Sequence, residues 1–282
     1  MPPINAEVRR MTAEDAARGA VLTQQIGWSQ NQDNWARLID WAGPGALCIA
    51  DGDQLIATAI AIYYSPAVSW IGVIITHPDY QRQGLARRIM TSAIDYLRGR
   101  GAHCIMLDAS KMGYPLYDSM GFRSLYKVEI YQGDAPLIVG SDGAREMNEA
   151  DIPTVIKRDG QLFGVERPQI IRSLALPNAA WVSGSPHDIQ GYLLMKHSRH
   201  GANIGPWFHN TTAGAEALLR KALAGINGQG ARLYIPEMNA PAKAIAAKYG
   251  LIYDRYCTRM VLGDEPPGQM MQQYGVASLA TG

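Results

Sequence analysis

The chain is poor in the residues that would build a covalent staple, an anchor or a charged platform. It has 3 cysteines and 3 phenylalanines in 282 residues, and its 26 basic and 25 acidic side chains nearly cancel. Cys48, Cys104 and Cys257 are odd in number and widely spaced, which argues against a disulfide framework and against a zinc site. Each lies in an apolar, strand-like stretch and is expected as a buried free thiol. A net charge of +1 offers no bulk attraction to nucleic acid or to an acidic membrane. No apolar run approaches the roughly 20 residues that span a bilayer, and the opening MPPINAEVRRM has no apolar signal core. The expectation is a cytoplasmic protein without a nucleic-acid or membrane partner. The sequon in HNTT at 209–212 reads as a helix cap, and HSRH at 197–200 as solvated histidines at a strand end rather than a metal site.

What is present is enough chain for two ordinary domains. Residues 6–10 suit a first strand, Thr12 to Gln25 a helix capped by Thr12, and Gln30 to Trp41 a second amphipathic stretch. ALCIAD and QLIATAIAIYY flank Gly52-Asp53 as a hairpin. AVSWIGVIIT is an apolar strand of the kind buried on both faces, followed after one helix by HCIMLDA and then FRSLYKVEIYQ. Between the first two of these, Leu85, Ala86, Ile89, Met90, Ala93, Ile94 and Leu97 recur at helical spacing, with Arg87, Arg88, Ser92, Asp95 and Arg98 on the other face. A strand–loop–helix–strand unit requires a partly parallel sheet.

The same order returns 129 residues later. Ala86, Ile89, Met90, Ala93, Ile94 and Leu97 become Ala215, Leu218, Leu219, Ala222, Leu223 and Ile226; Gly121 falls on Gly250, and RGAHCIML on QGARLYIP, without a gap. A tandem duplication is the expectation, with a linker in the Gly/Asp/Pro-rich stretch 133–143. The closing YGVASLATG is apolar enough for a terminal strand.

The loop HPDYQRQGLA leads into the first of these helices. A helix N-terminus carries unpaired N–H groups and the positive end of its dipole, so amides turned inward just before it make an anion cradle. Gly84 permits close approach to the backbone, Ala86 keeps the first turn small, and Gln81, Arg82 and Arg87 add donors and positive charge. The matching anion is a pyrophosphate. On these generic grounds a glycine opening a helix serves equally as a simple cap or turn.

HPDYQRQGLA resembles the Gln/Arg-x-x-Gly-x-Gly/Ala motif of the GNAT superfamily of acyl-CoA-dependent N-acetyltransferases, and the preceding VIIT resembles its splayed central strand. The resemblance implies that the backbone from Arg82 through Gln83, Gly84 and Leu85 to Ala86 holds the pyrophosphate of coenzyme A. It also implies that Ile74, Ile75 and Thr76 pair with the pantetheine as an added strand would. LDASKMGYPLYDSMGF at 107–122 is similar to the superfamily's next segment, with Tyr117 four residues before Gly121-Phe122. Its form resembles a bacterial subgroup in which a second GNAT-like domain follows the first. Ser110 stands where the family often has an asparagine for the pantetheine.

The family chemistry needs no enzyme nucleophile: a neutral amine attacks the thioester, strand amides near Ile74 stabilise the oxyanion, and Tyr117 protonates the departing thiolate. Asp108 is the resemblance's candidate for the general base, and it reads equally as a turn or cap residue. His77 is a second candidate base.

Shifted by 129, Gln81, Arg82, Gly84 and Tyr117 become Asn210, Thr211, Ala213 and Ala246, while Ser110 becomes Asn239. The second copy therefore keeps the fold without the catalytic groups, and is expected to wall the substrate cleft or to serve as a structural or dimerising partner. The fold class is α/β, α+β by some schemes: tandem GNAT folds, each a mixed, mostly antiparallel twisted sheet flanked by helices. The expected units are a catalytic, acetyl-CoA-binding domain at 1–135, a degenerate one at 140–263 and a tail at 264–282. The expected activity is acetyl-CoA-dependent transfer of an acetyl group to a primary amine on a small molecule, an amino acid or a peptide. The alternatives are a non-catalytic acyl-CoA sensor or interaction module, or transfer of a longer acyl group. A homodimer is compatible with all of these.

Overall fold

The computed structural model describes residues 7–138, 140, 143–175, 179–198 and 201–282. The first half runs β1 (Arg9–Arg10), α1 (Asp15–Gln25), α2 (Gln32–Ala42), β2 (Ala46–Asp51), β3 (Gln54–Ser65), β4 (Val68–Thr76), α3 (Leu85–Gly99), β5 (Cys104–Ala109), α4 (Tyr114–Asp118) and β6 (Arg123–Asp134). The second half repeats that order as β7 (Arg145–Glu146), α5 (Ile152–Phe163), α6 (Pro168–Ala175), β8 (Ala179–Ser185), β9 (Asp188–Ser198), β10 (Gly201–His209), α7 (Thr212–Ala224), β11 (Gly230–Pro236), α8 (Ala240–Lys248) and β12 (Ile252–Gly263). This is the duplicated mixed α/β fold expected from the sequence. Two sequence-stretch expectations, parts of the 133–143 linker and of HSRH, fall on residues outside those described. Among the described residues, no helix is long and apolar enough to cross a membrane.

The twelve strands form one continuous sheet in the order β1-β2-β3-β4-β5-β12-β6-β11-β10-β9-β8-β7. Among the described residues only β4/β5 and β10/β11 are parallel; the other pairings are antiparallel. Read from either edge, each half contributes five strands and then receives the last strand of the other: β12 lies against β5, and β6 against β11. At the centre Val128 faces its own repeat equivalent, Cys257, 129 residues on. The two bulges of the β6/β12 pair place Leu125 and Asp254 out of register, again 129 apart. The exchange thus has near two-fold symmetry, and the halves share a backbone ladder as well as a mixed hydrophobic cluster of Val68, Trp70, Phe163 and Val261.

Helix α3 buries Leu85, Ile89, Met90, Ala93, Ile94 and Leu97 against β5 and β3, and α7 buries Ala215, Leu218, Leu219, Ala222 and Leu223 in the same way. Each large side chain so buried contributes about 1.5–3 kcal/mol. The gapless 129-residue register fails in one element. Gly263 and Asp134 are repeat equivalents, but their partners Cys104 and Gly230 are 126 residues apart. The aligned glycines are not equivalent: Gly101 is in a left-handed turn (φ 83°), whereas Gly230 begins a strand.

A second repeat, at a spacing of 136, lies before the first helix of each half. Arg-x-Met-Thr-x-x-Asp at 9–15 matches Arg-x-Met-Asn-x-x-Asp at 145–151. Arg9 grips Asp15 at 2.7 and 2.9 Å while the carboxylate accepts the Thr12 N–H at 2.8 Å. Arg145 grips Asp151 at 2.7 and 2.6 Å, and Asp151 accepts the Asn148 N–H at 2.9 Å. The hydrogen bond from Arg9 holds the Asp15 carboxyl down to about 2. Asp15, rather than the Thr12 hydroxyl, therefore ties down this helix start.

Candidate active site

Strand β4 is bent where the chemistry is expected. Gly72 faces Ile60 and Ile75 faces Thr58, so Val73 and Ile74 together oppose the single residue Ala59. Val73 sits at φ 51°, a conformation that costs a β-branched residue about 1–3 kcal/mol. The buried Thr58 hydroxyl donates to the Val73 carbonyl at 2.9 Å and holds the bulge in place. Before it, β4 pairs with β5 only at Ser69/Ile105 and Trp70/Met106. Beyond Trp70 the two parallel strands part, leaving the edge of Ile74, Ile75 and Thr76 that faces β5 without a strand partner.

The loop after β4 turns through a short 3-10 helix at Pro78–Tyr80 and then two left-handed residues, Arg82 (φ 61°) and Gly84 (φ 80°). Gly84 is the N-cap of α3 and supplies no side-chain cap. Among the described residues, none of the backbone N–H groups from Arg82 to Arg87 is taken by a backbone or side-chain acceptor. This is an open set of donors at the positive end of a fifteen-residue helix. Gln81, Arg82 and Gln83 lie on the surface of the loop, while the Arg87 guanidinium donates to the Ser119 hydroxyl at 2.7 Å and ties α3 to the end of α4.

Tyr117 is almost wholly buried, edge-on to Phe122 at 6.2 Å. Its hydroxyl has no hydrogen-bond partner among the described residues, and burial pushes its pKa above the ordinary tyrosine value. It therefore stays protonated at neutral pH. The Ser110 hydroxyl accepts the Gly113 N–H at 3.2 Å and opens α4.

Asp108 is held by Arg259 of the exchanged strand β12. The contact is bidentate, at 3.0 and 2.9 Å, with both side chains fully buried. The guanidinium also donates to the Tyr126 hydroxyl at 3.1 Å and lies 4.8 Å from the Trp70 ring. Burial works against the charged Arg259, but Asp108 and Tyr126 more than offset it and its pKa is raised. His77 accepts the Asp79 N–H through Nδ1 at 3.2 Å, and its Nε2 lies 2.9 Å from the Gln54 amide nitrogen. Both ring nitrogens are thus engaged locally. No sequence spacing pointed to Arg259, which is 151 residues from its partner.

The second copy of the notch is arranged differently. Strands β10 and β11 pair only from Ala202/Ala231 to Ile204/Leu233 and then part. The gap is filled by the chain's own tail. The Trp207 N–H donates to the Gly275 carbonyl at 2.9 Å, the Trp207 carbonyl accepts from Tyr274 at 2.8 Å, and the Val276 N–H donates to the Tyr234 carbonyl of β11 at 2.9 Å. Asn239, the equivalent of Ser110, donates to the Gln273 carbonyl at 2.9 Å. The expected terminal strand is thus a single bridge, Gly275 against Trp207, laid between the diverging strands. At the start of α7 the Thr211 hydroxyl accepts the Gly214 N–H at 3.2 Å, so a side chain occupies what the first half leaves open. The tail then crosses to the first half. Ala280 lies so close to Gly72 that a Cβ there would meet its carbonyl at 2.3 Å, and the Tyr64 hydroxyl donates to the Thr281 carbonyl at 3.0 Å.

Two sequence-family models match the chain: the GNAT acetyltransferase family over residues 14–122 and a GNAT acetyltransferase domain over residues 155–275. The chain belongs to the GNAT acetyltransferases. It is an acyltransferase built of tandem GNAT domains. It is 25% identical to the N-acetyltransferase YitH of Bacillus subtilis (strain 168) over 217 residues, 75% of this chain and 73% of that one. It is 29% identical over 58 residues to the glucosamine 6-phosphate N-acetyltransferase of Trypanosoma brucei brucei, covering 21% of this chain and 40% of that protein. Among solved structures, a candidate acetyltransferase of Pyrococcus horikoshii superposes with a TM-score of 0.85 at 23% identity, over 98% of this chain and 95% of that one. A tandem GNAT protein from the clavulanic acid biosynthesis pathway, solved without AcCoA, superposes with a TM-score of 0.63 at 12% identity, over 97% and 100%.

Proposed function

We propose that the first half is an acetyl-CoA-dependent N-acetyltransferase and that the second half binds no coenzyme. The observation that carries this reading is the contrast between the two notches. One has splayed strands, free amides from Arg82 to Arg87 and a protonated Tyr117; the other is filled by residues 273–276 and capped by Thr211. The donor set fits a pyrophosphate at the start of α3 and a pantetheine along Ile74–Thr76, with Ser110 beside it. Acetyl-CoA supplies the thioester. The amides near Ile74 stabilise the charge that develops on its carbonyl oxygen as a neutral primary amine attacks, and Tyr117 gives a proton to the departing sulfur.

In this reading Asp108 positions rather than abstracts. Both oxygens of its carboxylate are taken by the Arg259 guanidinium, so the amine loses its proton to water. Residues 1–135 then carry catalysis, 140–263 wall it, and 264–282 bind the two together. The acceptor is a small molecule, an amino acid or a peptide. The Trypanosoma brucei brucei relative is named for an amino-sugar phosphate, which makes that class worth including in an acceptor panel.

The reading is tested by release of free CoA thiol from acetyl-CoA with a panel of amines. Binding without turnover on any of them would make the protein a coenzyme sensor, and a preference for succinyl- or long-chain acyl-CoA would change the donor. Tyr117→Phe is expected to lower kcat by at least about 10²-fold with little change in acetyl-CoA affinity; an unchanged kcat across pH in single-turnover measurements would remove Tyr117 as the acid. Calorimetric titration is expected to give one acetyl-CoA per chain. Two equivalents would mean that the tail yields its place in the second notch.

A further inference from the structure

Two cations from different halves meet without an acid between them. Lys196, half-buried near the end of β9, donates through Nζ to the Asn34 amide oxygen of α2. The Arg37 guanidinium donates to that same oxygen at 3.1 Å. Among the described residues neither cation is in an ion pair with Asp or Glu. Asn34 is fixed in turn: its amide nitrogen donates to Asn31 Oδ1 at 2.6 Å and its backbone N–H to the same atom at 2.9 Å. One neutral oxygen is a weak return for two like charges held close together in a partly dehydrated place. Burial, and then the charge of Arg37, lower the Lys196 pKa to about 8. Among the described residues each cation makes this one hydrogen bond, which leaves further N–H groups of an ammonium and of a guanidinium to meet an anion.

The pair stands on the side of the sheet opposite α3. Helix α3 and its amide cradle pack on the face that carries Ile71, Ile105 and Leu107. Asn34 precedes Trp35, whose ring is in the core on the opposite face with Val73 and Ile75 of the bulged strand. In the acetyltransferase reading the thioester lies between the parted strands β4 and β5, with α3 covering one face of the sheet and the other left for the acceptor. On that face Lys196 joins the second half to α2 through Asn34.

We infer that the acceptor amine carries an anionic group, a carboxylate or a phosphate, held between Lys196 and Arg37. This rests on the acetyltransferase reading of the first half. It gives the second half a direct part in specificity, since Lys196 is its only contribution to the pair.

Matched acceptors test it: glucosamine against glucosamine 6-phosphate, and an amino-acid amide against the free amino acid. The anionic member of one pair is expected to have the higher kcat/KM by at least about tenfold, and which pair responds tells phosphate from carboxylate. Lys196→Met and Arg37→Met are each expected to raise KM for that anionic acceptor about 10- to 100-fold, the loss of a charge-assisted hydrogen bond. The KM for acetyl-CoA and the rate with the neutral amine should not change. The variants lie in different halves, so a folding defect in one leaves the other to report. Equal use of anionic and neutral amines, or variants that raise both KM values alike, would overturn the inference while leaving acetyl transfer intact. No CoA release with any amine would overturn both.

Discussion

Gly84→Glu is expected to leave the chain folded and to abolish acetyl-CoA binding. The fold should survive because a Cβ at Gly84 meets nothing within 4 Å, and the left-handed φ of 80° costs a non-glycine residue about 1–2 kcal/mol. Binding should fail because the new carboxylate would stand at the start of α3, where the amides from Arg82 to Arg87, unpaired among the described residues, form the proposed pyrophosphate seat. It fills the approach to the backbone and satisfies those amides from within. The expected loss in affinity is more than about 10³-fold, or roughly 4 kcal/mol. Calorimetric titration beside a thermal melt separates the two effects. A melt close to wild type with undiminished affinity would remove the cradle from this loop.

The second large effect is expected on stability. Arg259→Met should destabilise the chain by about 3–5 kcal/mol, because it strands the fully buried Asp108 carboxylate in a site that also contains Trp70 and Tyr126. Removing both charges, as Asp108→Leu with Arg259→Met, should recover most of that loss, since the penalty lies in the unpaired charge rather than in the missing pair. Denaturant melts of the two single variants and the double variant measure the coupling. Additive losses would show that the pair contributes little across the exchanged strand. The double variant also bears on the proton: retained turnover would fit the positioning role of Asp108, and a dead but folded enzyme would return it to the list of bases.

Both predictions concern residues that differ in how they could be found. The local setting of Gly84 and Tyr117 was legible: an apolar strand, a polar loop and a helix with a 3.6-residue face for the one, and a tyrosine four residues before Gly-Phe for the other. The duplication was legible for the same reason, and so was the loss of the loop and the tyrosine from the second copy. The earlier repeat at Arg9–Asp15 and Arg145–Asp151 was present in the sequence but outside the 129-residue register, because the stretches between the two repeats differ in length by seven residues. The three-residue slip in β11 was hidden by a glycine that aligns in sequence and not in conformation.

The sequence by itself determined two copies of one α/β unit, the helix faces that pack on the sheet, and a polar Gln-Arg-Gln-Gly loop in the first copy only. Tertiary structure decided which strand completes which half. β6 and β12 are repeat equivalents with similar alternation, so either can lie against β5 or β11, and only the closed twelve-stranded ladder selects the exchange. It also decided the partners of Asp108 and Lys196, which lie 151 and 162 residues away, and the seat of the tail in the second notch. Those contacts depend on backbone carbonyls and single charges far apart in the chain, which leave no periodicity to read. They are where the two halves become one enzyme.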